Sequence, residues 1–174
     1  MIMRREYLYH KLTSAKEMES LGFATKMACP KGTRLFLTGQ LGSGKTVFCR
    51  GYLRGAGYKG RVKSPTFTIV ESYVMLGFDV HHFDFYRIED PTELDFIGLD
   101  QYFDDVSDVL VEWPSKGEGV LPSADLVIEL EVGAEPHLRE LKMYGETERG
   151  GVIISNLRHQ SFGGLHTDSS QNMD

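Results

Sequence analysis

Eight consecutive residues, Gly39-Gln40-Leu41-Gly42-Ser43-Gly44-Lys45-Thr46, fit the pattern G-x-x-x-x-G-K-[ST] in full. Those residue types at that spacing suit the holding of a chain of phosphates. Phosphate oxygens need many donors, and backbone N–H groups converge on them only where side chains do not block the approach. Gly42 and Gly44 meet that need. A helix starting near Lys45 adds free N–H groups and the positive end of its dipole. Lys45 can bridge the outer phosphates as a mobile cation, and the Thr46 hydroxyl can ligate Mg²⁺. Gly39, Leu41, Gly42, Ser43, Gly44, Lys45, Thr46 and Val47 are therefore the candidate phosphate-binding residues.

A nucleotide-bound Mg²⁺ needs acidic oxygens besides that hydroxyl. Two acids follow or end apolar runs: Asp84, in His82-Phe83-Asp84-Phe85-Tyr86-Arg87, and Glu112, after Val109-Leu110-Val111. Each is a candidate for the metal or for water. Ser64-Pro65-Thr66 lies about twenty residues past Lys45, where a loop threonine can sense the terminal phosphate or the metal. Trp113, the one tryptophan, is either core or a stacking surface. His81 and His82 have no third transition-metal ligand at a suitable spacing. Asparagine occurs only at 156 and 172, so the Asn-Lys-x-Asp motif of a Ras-type GTPase is absent. Between Ser64 and Ser115 the single arginine is Arg87, too few for a small-molecule kinase. The site reads as one that binds ATP and Mg²⁺ and hydrolyses slowly alone. A nucleotide-state sensor that needs no hydrolysis is one alternative, and a small-molecule kinase, against which the shortage of arginines argues, is the other.

Positioning these residues requires an alternation of strands and helices. Tyr7–His10 fits a short edge strand. Thr13 or Ser14 caps a helix with apolar positions Met18, Leu21, Phe23 and Met27, ending near Cys29-Pro30. Leu35–Leu37 reads as a buried strand before the glycine loop, and Lys45–Leu53 as the helix after it. Phe67–Tyr73 and Val80–Phe85 read as a hairpin turning at Leu76-Gly77. Pro91 opens a helical stretch. Asp108–Glu112, Leu126–Val132 and Leu138–Tyr144 complete the sheet. The fold class is α/β, a single P-loop domain over 1–154. Residues 155–174, rich in Ser, Gly, Asn and His, read as a disordered tail.

Composition agrees with a globular chain: 174 residues, 41% hydrophobic and 25% charged. No apolar run spans a membrane, no signal-peptide core follows the basic start, and two cysteines make no disulfide framework, so a cytoplasmic setting is expected. The net charge of −6 hides a gradient. Residues 1–63 carry +10 and residues 79–112 carry −10. A basic front suits phosphates or nucleic acid, and an acidic middle suits a cation or a basic partner surface.

The ordered set Gly39–Thr46, Ser64-Pro65-Thr66-Phe67-Thr68, His82–Arg87, Gly98-Leu99 and Val111-Glu112-Trp113-Pro114 closely resembles the TsaE (YjeE) family over roughly residues 6–145. These are bacterial P-loop ATPases of tRNA threonylcarbamoyladenosine synthesis. The resemblance implies a mixed central sheet flanked by helices, binding of ATP or ADP with Mg²⁺, and weak intrinsic ATPase activity. It implies two protein partners, TsaB and TsaD, with modification at adenosine 37 of tRNAs reading codons that begin with A. By motif position, Lys45 binds phosphate, Thr46 and Glu112 hold Mg²⁺, and Asp84 acts near the metal or the attacking water. Trp113 packs by the nucleotide and Thr66 lies in the switch loop. The family commonly has Asp at the place of Gln40 and a second Thr at the place of Val47.

Overall fold

A computed structural model describes residues 7–160. Its seven strands are β1 (Tyr7–Leu12), β2 (Arg34–Thr38), β3 (Val70–Met75), β4 (Phe78–Asp84), β5 (Asp108–Glu112), β6 (Leu126–Val132) and β7 (Arg139–Gly145). They form one sheet in the order β1-β7-β6-β2-β5-β4-β3. The inner strands β6, β2, β5 and β4 run parallel, and antiparallel pairs close both edges. This is the mixed sheet of an α/β P-loop fold. Strands β2 and β5 carry the apolar runs Leu35–Leu37 and Val109–Val111, as inner parallel strands do, whereas β4 and β6 mix in charged residues.

Helices α1 (Ala15–Ala28), α2 (Lys45–Gly55) and α3 (Glu148–His159) lie on one face. Two short 3-10 segments, Pro91–Ile97 and Pro114–Gly117, cover part of the other. Strand β4 divides its side chains between these layers. Val80 joins the helical core, while Phe83 joins the opposite one. By the same alternation His82 and Asp84 face the helices.

Ser14 caps α1, its Oγ accepting from the Glu17 N–H. The buried stripe of α1 runs through Met18, Leu21, Gly22, Thr25 and Ala28. Phe23 and Met27, expected to be inside, are instead 45% and 62% exposed. The buried stripe follows the helical repeat, which leaves Phe23 and Met27 outside it, and the helices cross backbone to backbone at Gly22 and Gly51. A Cβ on Gly51 would stand 1.9 Å from the Glu19 carbonyl oxygen, and one on Gly22 would stand 2.2 Å from that of Phe48.

Two further expectations are corrected. The strand expected from Phe67 begins at Val70, because Pro65–Thr68 fold into a turn closed by Ile69 N–H donating to the Pro65 carbonyl at 2.7 Å. The domain boundary expected between 154 and 155 falls inside α3. Thr147 caps that helix, accepting from the Gly150 N–H, and Ile153, Ile154 and Leu157 are fully buried beneath it. The ordered domain therefore reaches Gln160, and the rest of the expected tail, 161–174, lies outside the described residues. Among the described residues no helix is long and apolar enough to cross a membrane.

Candidate functional site

Strand β2 ends at Thr38, in the middle of the parallel strands, and the glycine loop leaves from its carboxyl end into α2. In such a sheet that end is where ligands sit. Gly39, Gly42 and Gly44 hold φ values of 138°, 77° and 106°, which L side chains resist. At Gly39 a Cβ would also come within 2.3 Å of the Leu130 carbonyl oxygen.

Lys45 is 4% exposed. Its Nζ donates to the carbonyls of Gly39 at 2.7 Å and Gln40 at 3.1 Å. The same atom lies 4.2 Å from the Trp113 ring centroid, a cation–π distance. Burial lowers the Lys45 pKa, and the nearby carboxylates of Glu112 and Asp84 oppose that shift. Trp113 itself adopts φ 60°, an uncommon backbone for a bulky residue, and its N–H donates to the Leu37 carbonyl. The chain turn between β5 and Pro114 thus points the indole back at the loop.

Asp84 and Glu112 end neighbouring strands and are direct register partners. Both are nearly buried, 4% and 2% exposed. Thr46 Oγ1 donates to Glu112 Oε1 at 2.9 Å. Asp84 Oδ2 accepts from Thr66 Oγ1 at 2.7 Å, and Asp84 Oδ1 accepts from the Tyr86 N–H at 3.0 Å. Ser64 Oγ lies 2.7 Å from Thr66 Oγ1 and extends this chain.

These groups surround one cavity of about 350 Å³. Of the residues expected from sequence, Leu41, Gly42, Gly44, Lys45, Thr46, Val47, Thr66, Asp84, Glu112 and Trp113 line it. Gly39 and Ser43 stand behind the loop. The first offers its carbonyl to Lys45, and the second is fully buried. The donor set at one end is a hydroxyl and two carboxylates, all oxygen. That chemistry fits a hard divalent cation such as Mg²⁺. The other side carries an ammonium and the amino end of an eleven-residue helix, which fits an anion.

The sequence matches the family model described as "Threonylcarbamoyl adenosine biosynthesis protein TsaE" over residues 12–141. The chain belongs to the TsaE family. It is 42% identical over 130 residues to the tRNA threonylcarbamoyladenosine biosynthesis protein TsaE of Haemophilus influenzae, covering 75% of this chain and 81% of that one. It is 36% identical over 152 residues to the TsaE protein of Bacillus subtilis, covering 87% and 94%. The crystal structure of Bacillus subtilis YdiB superposes with a TM-score of 0.76 at 28% identity, covering 89% of this chain and 96% of that one.

Further residues, which no local pattern marks, belong to the cavity walls. Tyr86 and Ser64 line the cavity, and the Tyr86 ring lies 5.2 Å from that of Trp113. A second cavity, of about 270 Å³, shares Gly42, Gly44 and Val47 with the first and is walled by Thr13, Ser14, Met18, His137 and Arg139. Arg139 donates to the Gly42 carbonyl at 3.2 Å and so braces the loop. The β6–β7 turn brings His137 and Arg139 there, about a hundred residues away in sequence, so no local pattern announces them. The third metal-type ligand that spacing did not supply is Cys49. Its thiol, His82 and Glu112 each offer an atom within 4.8 Å of the others. Burial, then the charges of Glu112 and Asp84, raises the Cys49 pKa well above the ordinary thiol range, so it stands there as a neutral packing group.

Proposed function

We propose that this chain binds ATP or ADP with Mg²⁺, hydrolyses ATP slowly alone, and serves TsaB and TsaD in forming threonylcarbamoyladenosine at position 37 of tRNAs reading codons beginning with A. The cytoplasm is the proposed setting. Membership of the TsaE family supports the pathway. The observation that carries the nucleotide reading is the convergence of Lys45, Thr46, Asp84 and Glu112 on one cavity at the carboxyl ends of β2, β4 and β5. The second cavity, continuous in its lining with the phosphate loop, offers room for the nucleoside.

Each residue has a task in this reading. Lys45 exchanges its carbonyl partners for phosphate oxygens. Thr46 and Glu112 hold the metal through oxygen. Asp84, its Oδ1 and Oδ2 fixed by Tyr86 N–H and Thr66, orients water and accepts its proton. Mg²⁺, when bound, neutralises charge on the phosphate oxygens. Trp113 covers Lys45 and excludes water.

The described residues lining the main cavity include no arginine, the group that usually stabilises charge spreading over a transferring phosphoryl group. That favours slow hydrolysis alone and assistance from a partner. It equally favours a second reading, in which nucleotide state sets partner affinity and hydrolysis is dispensable. Asp84→Asn separates them. A variant that binds ATP but fails to support tRNA modification sustains the ATPase reading, and full modification by that variant sustains the sensor. The basic front of the chain permits contact with tRNA through the complex.

Nucleotide binding is tested by titrating ATP and ADP against Trp113 fluorescence with and without Mg²⁺. Saturable binding strengthened by Mg²⁺ supports the proposal. No binding at millimolar nucleotide overturns it.

A further inference from the structure

His82 is fully buried and takes no part in lining the main cavity. It sits on β4 two residues before Asp84, so both side chains leave the same face of the strand. Its Nε2 lies 2.8 Å from Glu112 Oε1, the oxygen that also accepts from Thr46 at 2.9 Å. A carboxylate oxygen only accepts, so Nε2 carries the hydrogen. The other ring nitrogen, Nδ1, is buried without a hydrogen-bond partner. The imidazole therefore donates through Nε2 alone to a nearly buried carboxylate, from the side away from the cavity. Without that donor the carboxylate would be held by the Thr46 hydroxyl alone, which lies 2.9 Å from Oε1 and 3.2 Å from Oε2.

We propose that His82 is the positioning residue for Glu112, fixing the carboxylate so that its remaining lone pairs face the metal seat beside Thr46. A buried histidine behind a ligating carboxylate does the work that outer partners do around metal ligands generally. It sets the ligand's orientation before the ion arrives, at no cost to the ion's own coordination. Cys49, one helical turn after Thr46 on α2, is the other metal-type ligand atom near this pair, and its S–H is at most a weak donor beside the His82 N–H. The proposal rests on the reading of Glu112 as a Mg²⁺ ligand.

The test compares four proteins: wild type, His82→Met, His82→Gln and Glu112→Gln. For each, the Mg²⁺ concentration that half-saturates the tightening of ATP binding is read from Trp113 fluorescence, and ATP affinity in EDTA is read by calorimetry. His82→Met removes the donor and keeps an apolar filling. It is expected to raise the Mg²⁺ requirement roughly 10- to 100-fold while leaving affinity in EDTA unchanged. His82→Gln places an amide N–H near the lost Nε2–H and is expected to recover most of that loss. A merely structural role would lower thermal stability without moving the Mg²⁺ requirement. If His82→Met fails to fold, His82→Asn, whose amide reaches only the Nδ1 position, is expected to show the same Mg²⁺ defect. An unchanged requirement in the donor-free variant, or a Gln variant as defective as it, overturns the proposal. Glu112→Gln tells the two failures apart. If it raises the requirement while His82→Met does not, only the role of His82 falls. If neither does, the ligand reading of Glu112 falls and takes this proposal with it.

Discussion

Asp84 and Glu112 stand side by side at the carboxyl ends of two parallel strands, each bound to the hydroxyl of a different threonine. Thr66 belongs to the loop before β3, and Thr46 opens α2. The two carboxylates, adjacent in the sheet, are thereby tied to separate segments: Glu112 to the start of α2 and Asp84 to the turn 64–69. Two acids within one cavity would repel without such donors and the Lys45 ammonium. Their different partners are the basis for assigning them different tasks.

Those tasks separate in the variants. Asp84→Asn keeps shape and a hydrogen bond to Thr66 but loses the ability to accept a proton. The expected outcome is ATP binding close to wild type with hydrolysis slowed roughly 10²- to 10⁴-fold, the usual worth of a positioned general base. Glu112→Gln is expected to damage Mg²⁺-dependent binding itself. Steady-state hydrolysis and fluorescence titration on the same preparations check both. Equal binding defects in the two variants would contradict the division.

Lys45→Ala removes the only side-chain cation among the described residues that line the main cavity. Charged hydrogen bonds of this kind contribute about 1.5–3 kcal/mol, so ATP affinity should fall roughly 10- to 100-fold. Calorimetric titration reads this directly. The fold should survive, because the present partners of Nζ are loop carbonyls that water can replace.

Gly51→Ala tests the helix crossing rather than the site. The added carbon would meet the Glu19 carbonyl oxygen at 1.9 Å, backbone against backbone, so α1 and α2 must separate. Overpacking of this kind costs about 1–3 kcal/mol, which for a chain of this size lowers Tm by roughly 2–12 °C. Thermal unfolding by circular dichroism is the measurement, and an unchanged Tm would refute the close crossing.

His10 supplies a pH dependence. Burial lowers its pKa from the ordinary 6.5 to about 4. The unfolded chain therefore takes up a proton that the folded one refuses. Stability is complete above about pH 6.5 and falls as the pH drops from there to about 4, by up to about 3 kcal/mol. His10→Phe should flatten the Tm profile across that window. A profile as steep as that of wild type would assign the acid sensitivity to other groups.

The elements that carry the site were legible because their signals are local. The glycine loop, the apolar run of β5 ending in Glu112, and the hairpin turn at Leu76-Gly77 each declare themselves within a few residues. What escaped depends on contacts distant in sequence. Helix α3 was hidden by Gly150-Gly151, which weaken any helical pattern, yet Gly150 is required because a Cβ there would strike the Asp125 carbonyl oxygen at 2.0 Å. Phe23 and Met27 were placed inside because they are apolar, whereas the buried face of α1 follows the helical repeat of Met18, Leu21, Gly22, Thr25 and Ala28. His82 looked like an unaccompanied histidine until the parallel pairing of β4 with β5 set it against Glu112. Register, which no single segment contains, decided that contact.

Dependence of nucleotide turnover on partners is read most directly from the hydrolysis rate. ATP hydrolysis with Mg²⁺ is followed for the purified chain alone, and then with TsaB and TsaD added separately and together. The expected result is a low rate alone that rises when both partners are present, with no rise for Asp84→Asn. A rate indifferent to both partners would contradict it.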